Sequence, residues 1–390
     1  MHPHSQATPW LLAVGAFALG MASYITAGLI PLIETELSVS VSLAAQLVTA
    51  FTLAYGIGSP LLVAMLPSDC QRAGLLAALG LFVVANAASA LAGSMYLLMG
   101  LRVLAGFAAG TFLAVGIAAA VEVSTEKRRG KSISLIMGGM ASGTVLGVPV
   151  GLILAQQWGW QVAFWLIAVI GLVALLGLVW RLPDLPSATP SPLSERLQML
   201  SDMRVLRLLL VSLFAAIASL GLYTFFAPLL DSYDVTTLTP FLWVWGVGGM
   251  VGSLLIGVLV DRCSGPRLTL GIMLLLGASL LALPVVMAWS PWSGLLPIAL
   301  WGAVGWALQV PQNDELMKAR RHRGDGNLAV ALNESALYLG SAIGALIGGV
   351  ALSGGLAAPW LAVGAGSVAL IGAMLQIDNL PLGMRTLSHK

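Results

Sequence analysis

The chain has 390 residues, of which 58% are hydrophobic and only 9% are charged, and its mean hydropathy is +0.95. A water-soluble domain of this length needs far more charge to cover its surface, so this composition excludes one and indicates a protein that crosses a membrane many times. The net charge is only +2, and a nucleic-acid partner is therefore not expected.

Twelve apolar runs are long enough to cross a bilayer as helices, since a hydrocarbon core about 30 Å thick needs roughly 20 apolar residues per crossing. They are continuously apolar, without the two-residue alternation of barrel strands. The sequence predicts an all-α membrane protein with twelve transmembrane helices, at 10–31, 43–66, 73–93, 96–121, 133–156, 160–180, 205–229, 238–260, 267–288, 292–313, 328–351 and 358–378.

The positive charges predict the orientation of these helices. Apart from Arg102, the Lys and Arg residues lie in short polar gaps, and the gaps that follow the even-numbered helices hold the positive clusters, such as 127–131 and 318–323. By the positive-inside rule these gaps and both termini are cytoplasmic. Cys70 and Cys263 fall in cytoplasmic gaps, where thiols stay reduced, so no disulfide is expected.

The chain divides into two similar halves. The gap 181–204 is rich in Pro and Ser, which predicts a cytoplasmic linker at 182–204 between an N-terminal six-helix bundle at 1–181 and a C-terminal one at 205–390. A glycine triplet in the fifth predicted helix, Gly143, Gly147 and Gly151, recurs 197 positions later in the eleventh as Gly340, Gly344 and Gly348. Pro31, predicted to close the first helix, recurs 197 positions later as Pro228, predicted to close the seventh.

This six-plus-six repeat predicts two pseudo-symmetric bundles. It is the pattern of a large class of secondary transporters, which hold substrate near the membrane midplane. The alternative interpretation of the glycines alone is that they merely let helices pack closely.

Three segments resemble motifs of the major facilitator superfamily: LRVLAGFAAG at 101–110, GGMASGTVLGVPVG at 138–151 and GVLVDRCSGPR at 257–267. The second is similar to the fifth-helix motif of exporters, and the chain looks closest to the bacterial drug:proton antiporter branch of arabinose, sugar, nucleoside and drug efflux permeases. The resemblance implies proton coupling at Arg102 and gating motifs at Gly143, Gly147, Pro149, Gly151, Gly257, Asp261, Arg262 and Arg267.

The chain departs from that pattern in two places. The loop signature that should recur after the second helix is replaced by Val63, Pro67 and Ser68. Relatives often carry an acid in the first helix just after Gly20, where this chain has Met21. These departures leave open the alternative of an uncoupled facilitator or importer of a small metabolite.

Two ionisable residues inside the predicted helices are candidates for proton coupling. Burying Arg102 costs about 2.5–3.5 kcal/mol on insertion scales, so it is expected to face a cavity or partner; alternatively it snorkels to the outer interface. Glu334 is the second candidate, or else an interfacial Glu in the first turn of its helix. Asp314 and Glu315 are expected to be solvated cytoplasmic charges.

Aromatic and small polar side chains in the central helices are predicted to line a substrate cavity. Because the cavity would hold few charges, it suits neutral or weakly amphipathic solutes. Trp10, Trp158, Trp160 and Trp360 fit an interfacial belt instead, and Trp245 fits either location. The cavity candidates are Tyr24, Thr26, Tyr223, Thr224, Phe226, Trp301, Trp306, Gln309, Asn333 and Tyr338.

The sequence thus predicts a secondary active transporter of the bacterial inner membrane that exports drugs, sugars or nucleosides by proton-coupled alternating access. Its expected partners are a small-molecule substrate, protons and the lipid bilayer, and it is expected to act as a monomer. A membrane enzyme would need clustered His, Cys or acidic residues at the interface, which the sequence lacks. No cofactor or metal is therefore expected.

Overall fold

The computed structural model describes residues 7–58, 61–62, 66, 70–125, 129–185, 198–235, 237–260, 262–320, 322 and 326–379. Within these ranges there is no strand. Twelve helices are long and apolar enough to cross a membrane, numbered here α1 to α12: Thr8–Leu37, Val41–Gly58, Gln71–Ala90, Met95–Glu122, Lys131–Trp158, Gln161–Arg181, Met203–Thr224, Thr239–Gly257, Gly265–Met287, Pro291–Arg320, Leu328–Ser353 and Ala358–Ile377. The predicted all-α, twelve-helix membrane fold is confirmed.

Proline does not end the first helix, contrary to the prediction. Helix α1 continues through Pro31 to Leu37. Proline costs one backbone hydrogen bond, but in an apolar environment the remaining bonds have no competition from water. In the second half, α7 ends at Thr224, and a short helix, Phe226–Asp231, carries Pro228.

The chain forms two compact units, Met1–Pro192 and Leu193–Lys390. In the N-terminal unit, α1 packs against α5 and α6, α2 against α4, and α3 against α4 and α6. In the C-terminal unit, α7 packs against α11 and α12, α8 against α10, and α9 against α10 and α12. The helix pairing of one unit is thus repeated in the other, as a pseudo-symmetric pair of bundles requires.

Glycines create the close contacts in equivalent helix pairs. A Cβ at Gly143 in α5 would collide with the Phe17 carbonyl of α1. In the second unit, a Cβ at Gly344 in α11 would lie 2.5 Å from the Ile217 carbonyl oxygen of α7. Close helix packing therefore accounts for these glycines in full, and a gating role for the fifth-helix motif stays a prediction.

The corners after α5 and α11 also match. Gly159 has φ 89° and Gly355 has φ 87°, a left-handed conformation that glycine adopts without steric cost. Within α5 a π-helical turn, Gly143–Gly147, interrupts the regular helix just before Pro149. The fifth-helix motif is therefore an irregular stretch of helix packed on α1.

Candidate functional site

Arg102 lies in the interior of the N-terminal unit. Its side chain is 0% exposed, and the guanidinium carbon lies 4.8 Å from the centre of the Phe51 ring and 5.0 Å from that of Phe164. Its Nη1 donates to Asn86 Oδ1 at 3.4 Å. A snorkelling arginine would reach the surface, so the snorkelling alternative is wrong.

Asn86 holds the guanidinium from the neighbouring helix α3. The amide is fully buried, and its Nδ2 donates to the Phe82 carbonyl at 2.7 Å, which leaves Oδ1 facing Arg102. The sequence analysis missed Asn86, although it is the only amide in the apolar run 73–93. A polar side chain isolated in such a run is the signal that could have found it.

Trp160 supports this site and does not lie in the interfacial belt. It is 1% exposed and its indole packs edge-on against Phe164, with ring centroids 5.8 Å apart. The interfacial prediction is wrong for Trp160 because it opens α6 one turn before Phe164 and shares its inward face. Trp10, Trp158 and Trp360 are largely exposed, as belt residues are.

The two cavity candidates of α1 do not share a surface. Tyr24 is partly exposed, whereas Thr26 is buried and its hydroxyl has no hydrogen-bond partner among the residues described. Residues two apart on a helix point in different directions, which explains the difference.

Five aromatic side chains form a cluster in the C-terminal unit. Four of them were cavity candidates, and the fifth, Trp245, is buried in the cluster and so does not belong to the interfacial belt. Trp306 is the partly exposed member, so it offers a ring that a solute could reach. The ring-centroid distances are 4.6 Å for Tyr223–Trp245, 6.1 Å for Tyr223–Phe226, 5.3 Å for Phe226–Trp301, 6.1 Å for Trp245–Trp301 and 5.7 Å for Trp245–Trp306.

One polar contact fixes this cluster. The Trp301 Nε1 donates to the Ser219 hydroxyl of α7 at 2.7 Å, and both residues are buried. Thr224, the last residue of α7, is also buried and donates its hydroxyl to the Leu220 carbonyl one turn earlier at 3.3 Å. The polar groups here are directed into the bundle and not toward a surface.

A second polar group lies where α10 meets α11. The Asn333 Nδ2 donates to Asn313 Oδ1 at 2.9 Å, and the neighbouring Gln312 is fully buried. Glu334 is partly buried, and the described part of the chain gives its carboxylate no ion-pair or hydrogen-bond partner. Gln312 was missed by the sequence analysis, although it is a polar residue within the apolar run 292–313.

The remaining cavity candidates border this second group. Tyr338 is buried, one turn along α11 from Glu334, and Gln309 is partly buried in α10.

The charges near the end of α10, predicted to be solvated and cytoplasmic, are not all solvated. Glu315 is buried, with Lys318 Nζ at 3.2 Å and Arg204 Nη2 at 4.0 Å from its carboxylate oxygens. A Cβ at Gly265 would lie 2.8 Å from Glu315 Oε1. The carboxylate thus lies against the first residue of α9, where the positive end of the helix dipole stabilises it.

Only part of the loop signature after α8 lies within the described residues. A Cβ at Gly257 would meet open space, and Arg262 and Arg267 are exposed. Asp261 lies outside the described residues, so the predicted charge latch stays a prediction. Among the described residues, no group of three His, Cys, Asp or Glu side chains could hold a metal ion.

The motifs and the fold agree with a comparison against known families. The family model described as Major Facilitator Superfamily matches residues 12–327. The chain is a member of the major facilitator superfamily. It is therefore a transporter of small solutes, with the twelve-helix fold of that superfamily.

Relatives and solved structures agree with this membership. The chain is 30% identical over 348 residues to the inner membrane transport protein YdhP of Escherichia coli O157:H7, covering 88% of each chain. It is 30% identical over 354 residues to a chloramphenicol resistance protein of Streptomyces lividans, again covering 88% of each. A crystal structure of a D-xylose-proton symporter matches with a TM-score of 0.77 at 16% identity, covering 96% of this chain and 98% of that chain, and this likeness concerns the fold.

Proposed function

We propose that this chain is a proton-coupled exporter of small organic solutes in the bacterial inner membrane. In this proposal, its two bundles expose a solute site alternately to the two sides of the membrane, and both termini are cytoplasmic. The fully buried Arg102 carries the proposal, because a charge at this depth in a membrane bundle is costly and marks a functional site. A relative named as a chloramphenicol resistance protein supports the export direction.

The other candidate residues have distinct roles in this proposal. Arg102 favours release of a proton from a group that enters its surroundings, and Glu334 is a second protonation site. The irregular stretch Gly143–Gly147, with Pro149 and Gly151, keeps one face of the N-terminal bundle sealed against leak. Asp261 and Arg262 latch the cytoplasmic face.

The aromatic cluster has the role of solute contact in this proposal. Trp306 is its accessible ring, and the buried members hold that ring in place.

An uncoupled facilitator or importer is the alternative, and one observation favours it. The central part of α1 carries Met21 where coupled relatives often carry an acid. Without that acid, a proton needs another residue to carry it. The experiment that tests the proposal therefore has to distinguish coupled from uncoupled transport.

The experiment measures efflux of chloramphenicol from vesicles of a host that lacks its own exporters, with and without an imposed pH gradient. We expect the wild type to export faster with the gradient, and Arg102→Ala to lose that acceleration. The matched control is Arg181→Ala, which removes an exposed arginine at the end of α6 in the same unit and should keep it.

Two results contradict the proposal. Gradient-driven export by Arg102→Ala at the wild-type rate would remove Arg102 from the coupling step. Solute flux that ignores the pH gradient in the wild type would instead establish the uncoupled alternative. A wider panel of drugs, sugars and nucleosides in the same host identifies the solute.

A further inference from the structure

Among the described residues, the guanidinium of Arg102 has an acceptor for only one of its three nitrogens. Nη1 donates to Asn86, whereas Nε and Nη2 are buried and have no hydrogen-bond partner within the described ranges. An unsatisfied buried donor is costly, and a charged one more so. These two nitrogens therefore require an acceptor that the described residues do not supply.

No carboxylate among the described residues forms an ion pair with Arg102. Helix α1 packs on α2, α4 and α6 and carries Glu34 and Glu36 near its end, but neither forms an ion pair with Arg102. The described sequences of α2, α3, α4 and α6 contain a single acidic residue, Glu122. Glu122 lies at the cytoplasmic end of α4, about 30 Å along the axis from Arg102 at 1.5 Å per residue. The two phenyl rings stabilise the cation through their faces, but they do not neutralise it.

The geometry determines which side of the guanidinium is left for a ligand. The rings of Phe51 and Phe164 lie 4.8 Å and 5.0 Å from the guanidinium carbon, and Asn86 accepts from Nη1. What remains is the edge formed by Nε and Nη2, whose N–H bonds run nearly parallel. That edge matches the two oxygens of a carboxylate, which an arginine binds with two parallel hydrogen bonds.

We propose that the Nε–Nη2 edge of Arg102 is a binding site for a carboxylate group, which neutralises the buried charge. The carboxylate belongs either to a carried solute or to a free anion held in the bundle, and the first source rests on the proposed transport function. The sequence predicted neutral solutes because the cavity would hold few charges. Arg102 is the buried counter-charge that an anionic solute needs, so this proposal adds anionic solutes to those expected.

The test is thermal unfolding of the purified full-length protein in detergent, titrated with sodium acetate at constant ionic strength. Acetamide is the neutral isostere of the probe. We expect acetate, and not acetamide, to raise the unfolding midpoint of the wild type in a saturable way, by about 2–4 °C at tenfold the half-saturating concentration. The control Arg181→Met should respond as the wild type does.

Variants of Arg102 separate this site from a general salt effect. Arg102→Met removes the buried charge, so without acetate it should unfold at a higher temperature than the wild type and should not respond to acetate. Arg102→Lys keeps the charge but offers no parallel pair of N–H bonds. We expect its half-saturating acetate concentration to be at least tenfold higher.

The site is refuted if the wild type shows no saturable rise, if acetamide acts equally, or if Arg102→Met responds like the wild type. Should Arg102→Met fail to fold, an equal acetate response in Arg102→Lys and the wild type also refutes it. Because binding is measured without a membrane gradient, this failure is distinct from a failure of proton-coupled export.

A second arm distinguishes the two sources of the carboxylate. Proteoliposomes loaded with labelled lactate are assayed for release by the wild type and by Arg102→Lys. Release that requires Arg102 assigns the carboxylate to a carried solute. Acetate binding without lactate release assigns it to an anion that stays in the bundle.

Discussion

The Trp301 indole nitrogen can only donate a hydrogen bond, and at a fully buried position it has to find an acceptor inside the protein. Ser219 supplies that acceptor from α7 at 2.7 Å. The contact joins Trp301 of α10 to α7, the helix that packs on α11 and α12. One serine hydroxyl therefore holds the Trp301 ring in position.

Replacing Ser219 with Ala tests this role. The variant leaves the Trp301 N–H buried without a partner, and we expect it to lower the free energy of unfolding by about 1–3 kcal/mol. In a Trp301→Phe background the same replacement should cost much less, because no buried donor is left unsatisfied. Thermal unfolding of the four proteins of this double-mutant cycle measures the difference; an equal cost in both backgrounds would contradict the assignment.

The sequence predicts only part of the candidate site around Arg102. Arg102 was found because a charge inside an apolar run is conspicuous. Its contacts, Phe51, Asn86 and Phe164, come from three other helices. The two phenylalanines are unremarkable in their segments, and Asn86 stands out only as the single amide of its apolar run. Which of them meets Arg102 depends on helix pairing and rotation, and neither is encoded in the hydropathy of a single segment.

Helix α5 depends on glycine at the points where it touches α1. A Cβ at Gly143 would collide with the Phe17 backbone carbonyl, and a backbone atom cannot move aside as a flexible side chain can. Gly138 lies earlier in the same helix, and a Cβ there meets nothing within 4 Å. The two glycines therefore differ in how closely another helix approaches them.

This difference predicts contrasting effects of one substitution. We expect Gly143→Ala to lower the free energy of unfolding by about 1–3 kcal/mol, since overpacking a tight interface forces backbone shifts. Gly138→Ala should be neutral or slightly stabilising, because alanine favours helix. Thermal unfolding of both variants in one detergent provides the comparison, and equal stabilities would show that α1 and α5 are not in such close contact.

Helix boundaries were predicted well wherever the apolar run ended with the helix, as for α3, α4 and α6. Helix α10 was predicted to end at 313 but continues to Arg320. Its last turns, QNDELMKAR, are polar, so hydropathy cannot reveal them as helix. They are stabilised instead by contacts with other segments, such as the ion pair from Arg320 Nη1 to Asp202 Oδ2 at 3.0 Å.

The two units share one pattern of helix pairing, and the internal repeat in the sequence predicted that symmetry. The orientation in the membrane is a separate matter, because it depends on charges in the gaps. Cys263 is exposed in the gap between α8 and α9, which the positive-inside rule assigns to the cytoplasm. Trp289 is exposed in the gap between α9 and α10, on the opposite side.

These two positions test the orientation of the whole molecule. In a Cys70→Ser background, we expect a membrane-impermeant maleimide to label Cys263 in inside-out vesicles and not in intact cells. A Trp289→Cys variant that lacks both native cysteines should show the reverse pattern. Labelling of Cys263 from outside intact cells would overturn the predicted orientation.

The contacts of Arg102 with Phe51, Asn86 and Phe164 also bear on how the protein is synthesised. Phe51 and Asn86 precede Arg102 in the chain, but Phe164, whose ring lies 5.0 Å from the guanidinium carbon, is synthesised only with α6. A ribosome that has delivered four helices to the translocon therefore leaves the arginine half sheltered in lipid, at an insertion cost of about 2.5–3.5 kcal/mol. The contacts around Arg102 are therefore complete only once α6 has been synthesised. Phe51, Asn86 and Phe164 all belong to the first unit, so these contacts need nothing from the second half of the chain.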